Sequence, residues 1–139
     1  MSFNLLLAQA LNGLQFGVLL FLMAAGLTLV FGIMSFINLA HGALYMFGAY
    51  FAALVFAASG SFGLALLAAA GGVFILAALL DAGGLAVLHK RDHLDQVLAT
   101  FGIVLFSNEF VRWAWGNSPL FMDTPDALSN SVQIFGFNY

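Results

Sequence analysis

Apolar residues are arranged along the chain in four long runs, at about residues 10–33, 41–58, 63–88 and 95–115. Each is long enough to cross a bilayer, because about 20 residues at roughly 1.5 Å of helical rise span the ~30 Å hydrocarbon core. None shows the alternation of a half-buried strand or the one-sided apolar stripe of a soluble helix. The pattern predicts an all-α, polytopic integral membrane helix bundle with about four spans. The interruptions differ in kind: Ser59–Phe62 (SGSF) is a short Ser/Gly turn, and His89–Asp95 (HKRDHLD) reads as a hydrated loop. The stretch between the first two runs, residues 34–40, carries no charge at all.

Composition strengthens this reading. Of 139 residues, 63% are hydrophobic and 6% are charged, and the first charged side chain is Asp81. A soluble domain of this size carries about a quarter charged residues, so the uncovered surface must face lipid. The start MSFN lacks a basic n-region and the apolar run that follows exceeds a ~7–15 residue signal core, which argues for mature membrane protein rather than a cleaved leader. Cysteine is absent, excluding disulfides and thiolate chemistry. With three basic residues and a net charge of −3, the chain has no face for nucleic acid.

Lys90 and Arg91 mark the 89–95 loop as cytoplasmic by the positive-inside rule. That orientation places residues 34–40 inside and residues 59–62 and 116–139 outside. Helix-end chemistry agrees: His89, Lys90 and Arg91 follow one helix, where the dipole favours cations, while Asp92 and Asp95 open the next. Trp113 and Trp115 fall at the expected outer exit of the fourth span. From Asn117 the chain contains both prolines, two Asp and several Ser and Asn, and is read as an extracytoplasmic segment, 117–139, leading to further spans. Its end, SVQIFGFNY, partly alternates, as a short strand or the approach to another helix does.

Within FINLAHG (36–42), Phe36, Ile37, Leu39 and Ala40 are apolar, so the interruption is expected to stay at membrane depth as a polar helix break near residues 34–42. Irregular backbone is tolerated there only where protein buries it or a water-filled cavity meets it, and transporters place such breaks beside their pathways. Asn38 is expected to cap the following helix, and Gly42 to let a neighbouring backbone approach. Asn38, His41, Gly42 and Tyr45 are thus pathway candidates; the alternative is a tight helix junction whose Asn and His only satisfy backbone groups. His41 has no second ligand at helical spacing, so no metal or haem site is read from it, and no cofactor is expected.

Other polar residues fall inside the spans. Gln9, Asn12 and Gln15 share a helical face of the first, with Thr28 deeper; Thr100, Asn108 and Glu109 lie in the fourth. These could border an aqueous route, although Glu109 and Arg112, at i and i+3, can instead form an interfacial ion pair. Asp81 is close enough to the inner surface to snorkel or to partner Lys90 or Arg91. Small residues recur, including the Gly13/Gly17 step, and are expected to serve close helix packing within the chain or toward a partner. No Ser-His-Asp, P-loop or metal motif is present, and the chain is not read as an enzyme.

Two long segments, GLTLVFGIMSFINLAHGALYMFGAY and DHLDQVLATFGIVLFSNEFVRWAWG, carry a family resemblance. The chain resembles the N-terminal half of the permease subunit of branched-chain amino-acid ABC importers, a family that includes urea and short-amide permeases. Asn38, Ala40, His41 and Gly42 stand in the family's N-x-A-H-G element, and Asp95, Gln96, Thr100, Phe101 and Gly102 in its D-Q-V-L-A-T-F-G element. The resemblance implies a multi-pass subunit of the bacterial inner membrane. Its implied partners are a second related permease, two cytoplasmic ATPase subunits and a periplasmic solute-binding protein. Family members are about twice as long as this chain. Rival readings of the residues are a non-transporting membrane scaffold or truncated fragment, and an uncoupled channel for urea-like solutes.

Overall fold

A computed structural model describes residues 3–118, 120, 133–134 and 137–138. Five helices are described: α1 (Phe3–Met34), α2 (His41–Ser59), α3 (Phe62–Leu80), α4 (Ala86–Leu88) and α5 (His93–Trp115). A π-helical turn, Asp81–Leu85, with a kink at Gly84 (φ 163°, ψ −25°), joins α3 to α4. Four stretches are long and apolar enough to cross a membrane: Leu5–Ile33, His41–Ser59, Phe62–Leu88 and His93–Trp115. The all-α, four-span architecture and the break before residue 41 are therefore those of the folded chain. α1 begins well ahead of residue 10, because Gln9 and Asn12 lower hydropathy without interrupting helical hydrogen bonding. The π turn was not expected; it falls at DAGGL, where two glycines relax the backbone and a polar side chain interrupts the apolar sequence.

The chain divides into two compact units, residues 1–28 with 124–139, and residues 29–123. In the first, α1 runs to Thr28, whose hydroxyl donates to the Ala24 carbonyl at 2.8 Å. Near the other end of that unit, Gln133–Ile134 (β1) pairs antiparallel with Phe137–Asn138 (β2), in the register Gln133↔Asn138 and Ile134↔Phe137. Of the expected extracytoplasmic segment, residues 119, 121–132, 135–136 and 139 lie outside the described residues.

In the second unit, α2 and α3 form an antiparallel hairpin. Gly60 ends α2 at φ 64°, a left-handed conformation that glycine adopts without a Cβ penalty, and its N–H donates to Phe56. Ser61 then caps α3 by accepting from the Leu64 N–H at 3.4 Å. The two helices close on each other at glycines: a Cβ added to Gly72 would sit 2.6 Å from Phe51 Cδ2, and one at Gly48 3.1 Å from Val73 Cγ2. At Gly13, Gly17, Gly32, Gly42, Gly71, Gly83 and Gly102 an added Cβ would meet nothing within 4 Å. Intramolecular packing thus explains Gly48 and Gly72, while no backbone approaches Gly42 among the described residues.

α5 lies against α2 and runs in the same direction. Leu39 is joined to Thr100 just before α2; further along, Phe47 meets Phe110 at 6.3 Å and Tyr50 meets Trp115 at 5.1 Å between ring centroids. Phe110 also packs on Phe106, Trp113 and Trp115, forming an aromatic cluster at the exit of α5. Eight of the buried side chains described in this unit, Phe36, Ala40, Ala43, Phe47, Gln96, Thr100, Ser107 and Val111, lie on α2, on α5 or in the segment that precedes α2; Ala65 on α3 and Leu85 are buried as well.

Candidate functional site: a broken helix clamped by a polar pair

The helix break runs from Ser35 to Ala40. α1 closes with the Ser35 N–H on the Phe31 carbonyl at 2.8 Å, and Ser35 itself takes φ 50°. A left-handed residue with a Cβ is unfavourable by about 1 kcal/mol or more, so the turn must be held by its surroundings. Phe36 supplies one anchor: it is 2% exposed and its ring meets His89 edge-on at 4.6 Å.

Freed from helical pairing, the backbone of this segment needs other partners, since an orphaned buried N–H costs about 1–3 kcal/mol. α5 supplies them from two side chains one helical turn apart. Gln96 Oε1 accepts from the Ile37 N–H at 3.0 Å, and Thr100 Oγ1 accepts from the Leu39 N–H at 3.2 Å. Spacing of i and i+4 puts both on one helix face, and the non-helical backbone of residues 37–39 presents the Ile37 and Leu39 N–H groups to them. Gln96 and Thr100 are 2% and 0% exposed.

Gln96 also reaches the other way. Its Nε2 donates to the Leu88 carbonyl at 3.2 Å and the Arg91 carbonyl at 3.1 Å, the first of which also accepts from the Arg91 N–H at 3.0 Å. One amide therefore joins three places: the break, the end of α4 and the 89–92 loop. Thr100 donates to the Gln96 carbonyl at 2.7 Å, which fixes its rotor for the Leu39 contact. Along α5, Gln96 and Thr100 lie about 4.5 and 10 Å from His93 at a helical rise of roughly 1.5 Å per residue, so the break sits inside the span of α5.

Asn38 acts differently from the expected helix cap. Ala40 occupies the cap position without a side-chain hydrogen bond; Asn38 Oδ1 instead accepts from the Ala40 N–H at 3.0 Å, and its carbonyl accepts from the His41 N–H at 3.4 Å. This is an Asx turn, which aims the chain into α2 from two residues upstream. His41 is half-buried, and Gly42 and Tyr45 are exposed on the first turns of α2. Asp81 meets His89 rather than Lys90 or Arg91: its Oδ1 lies 3.9 Å from the His89 Nε2. His89 lies eight residues on, on the same face after the π turn, while Lys90 and Arg91 turn into the loop.

A second group gathers at the far end of α5. Arg112 Nη1 donates to Glu109 Oε1 at 3.0 Å, with both side chains largely exposed. With Asn108, Tyr50, Asn117 and Ser118 they line an open cleft of about 1040 Å³, floored by Met46 and Leu105. α2 continues nine residues past Tyr50, about 13 Å, so this cleft stops short of the Ser59 end of α2. Asn12, Gln15 and Thr28 belong to the other unit, on α1. Asp95, Phe101 and Gly102 are exposed on α5. The two sequence elements that carried the resemblance thus meet at the clamp, through the Ile37 and Leu39 N–H groups that flank Asn38 on one side and Gln96 and Thr100 on the other.

Comparison with known proteins gives the same grouping. The family profile described as branched-chain amino acid transport system / permease component matches residues 9–129. The high-affinity branched-chain amino acid transport system permease protein LivH of Escherichia coli K12 is 42% identical over 57 residues, covering 41% of this chain and 18% of that protein; LivH of Salmonella typhimurium matches equally. BraD of Pseudomonas aeruginosa, a permease protein of the same description, is 50% identical over 46 residues, 33% of this chain and 15% of BraD. The matched segments span less than a fifth of these relatives' length. No solved structure is a significant match. Four spanning helices and a profile match over most of the chain make this a multi-pass membrane protein that belongs to the branched-chain amino acid transport permease family.

Proposed function

We propose that this chain is a membrane-spanning subunit of an ATP-binding-cassette importer that moves branched-chain or related amino acids into the cytoplasm of a bacterium. It works beside a second related permease in the inner membrane. Two cytoplasmic ATPase subunits drive the pair, and a periplasmic binding protein delivers the solute. The observation that carries this reading is the meeting of the two family elements at a clamped helix break in the span of α5. A soluble or scaffold helix has no use for an unwound segment at membrane depth, whereas a pathway does.

In this reading Lys90 and Arg91 face the cytoplasm, and residues 117–139 lie on the opposite side. The break borders the route through Asn38, His41, Gly42 and Tyr45. Thr100, being buried, contributes by holding the break rather than by meeting solute. The cleft at Asn108, Glu109 and Arg112 forms an outer vestibule, where the paired charges and amides keep water and a zwitterionic solute together. ATP closure shifts the paired permeases between outward- and inward-facing states, and this chain hydrolyses nothing.

Uptake of radiolabelled leucine, isoleucine and valine by cells expressing the importer tests the reading. Asn38→Ala and His41→Ala should lower uptake while the complex still assembles; unimpaired uptake in both would count against a pathway role for the break. Energy-independent passage of urea with no amino-acid uptake would point to a channel instead.

A further inference from the structure

The feature that the permease reading leaves unused is the three-way bonding of Gln96. Its Oε1 holds the break at Ile37, and its Nε2 holds the carbonyls of Leu88 and Arg91. The side chain is 2% exposed, so water is a poor substitute for any of the three bonds. A carboxamide is the smallest side-chain group that offers both an acceptor and two donors in one rigid plane. A second contact runs beside it, since His89 of the same loop packs edge-on against Phe36 of the break at 4.6 Å. Loop and break are thus joined by one buried polar tie and one aromatic contact.

We propose that Gln96 is a positioning residue that transmits displacement of the 88–91 loop to the broken backbone at 37–39, so that loop and break move as one body during transport. The inference rests on the permease reading for the use made of that motion, and on the hydrogen bonds alone for the existence of the tie. Conformational coupling of this kind requires an element that both sites bias; here that element is a single amide with an arm on each.

These 139 residues contain no cysteine; with any cysteine elsewhere in the complex replaced by serine, two labels can be placed without background. Leu39→Cys and Lys90→Cys, both at exposed positions, would carry nitroxides in the full subunit, assembled with its partners in lipid nanodiscs, for distance measurement by pulsed electron resonance. With Gln96 intact, one narrow distance population is expected, unchanged in width between nucleotide-free and nucleotide-bound complex. Gln96→Glu keeps the acceptor for Ile37 but puts a carboxylate against the Leu88 and Arg91 carbonyls; Gln96→Leu removes both arms. Each should broaden the distance distribution and lower the maximal uptake rate at least about tenfold, which is about 1.4 kcal/mol, with the half-saturating solute concentration and the amount of assembled complex unchanged. A merely structural role would lower the amount of complex instead.

An unchanged distribution in Gln96→Glu, or broadening without loss of maximal rate, would overturn the proposal. If the unmutated complex takes up no amino acid, the permease reading fails, and the label distances alone then decide whether the tie exists.

Discussion

Thr100→Val tests the clamp with the least disturbance of shape. Valine nearly matches threonine in volume, and at 0% exposure there is no room for a water to replace the lost hydroxyl. The Leu39 N–H would lose its only acceptor among the described residues, held now at 3.2 Å. The Gln96 carbonyl, which the hydroxyl also bonds at 2.7 Å, keeps its helical partner and loses little. An orphaned, partly buried N–H costs about 1–3 kcal/mol, and the added methyl recovers part of that, leaving a net of roughly 1–2 kcal/mol, or about 5- to 30-fold in local opening. Amide hydrogen exchange over residues 35–41, followed by mass spectrometry on protein in nanodiscs, should rise by that factor. Thr100→Ser retains the hydroxyl and should leave exchange at Leu39 within about twofold, although it loses a methyl worth about 0.8 kcal/mol of burial. If valine and serine open the segment equally, packing rather than the hydrogen bond holds it, and the clamp account is wrong.

Other outcomes follow from the same geometry. Gly72→Ala should lower resistance to unfolding in mixed micelles of sodium dodecyl sulfate by about 1–3 kcal/mol, because its Cβ would sit 2.6 Å from Phe51; Gly13→Ala, with nothing within 4 Å, should be neutral or slightly stabilising by the same measurement. Asn38→Ala should raise exchange at Ala40 by removing the 3.0 Å acceptor, at a cost of about 0.5–2 kcal/mol, and Asn38→Asp, which keeps an oxygen there, should restore most of the protection. Ser35→Gly should be tolerated or stabilising, since φ 50° suits glycine, while Ser35→Val should destabilise the fold, as read from the thermal midpoint of the detergent-solubilised protein.

The spans were legible because lipid imposes a simple rule: charge-free apolar runs of sufficient length become helices. The turn at Ser59–Ser61 was equally plain, since Gly60 and the flanking serines supply both the left-handed residue and the cap. That residues 35–40 leave the helix could be inferred from polar residues without charge, but the means of holding them could not. Nothing in FINLAHG names its partner; the acceptors lie 59 and 61 residues away on α5. Gln96 stood out only as a position of the family element and Thr100 also as a polar residue of a span, and only folding shows them facing one backbone. The i, i+4 spacing of Gln96 and Thr100 beside an otherwise apolar helix was the signal that could have identified the pair. Asn38 was rightly placed at the entrance to α2 but acts two residues before the cap, a distinction that Asx turns and N-caps share in sequence. That Asp81 meets His89 rather than Lys90 or Arg91 was not legible, because the contact is made across the π turn.

The central claim, that this chain works as part of an ATP-driven amino-acid importer, is met most directly by purifying the tagged native protein from its own membranes and identifying its companions by mass spectrometry. The account predicts a second permease of the same family, an ATPase subunit at two copies per complex, and retention of the periplasmic binding protein when amino acid is supplied. Recovery of the protein without an ATPase, under conditions that keep known importers of this kind intact, would contradict it.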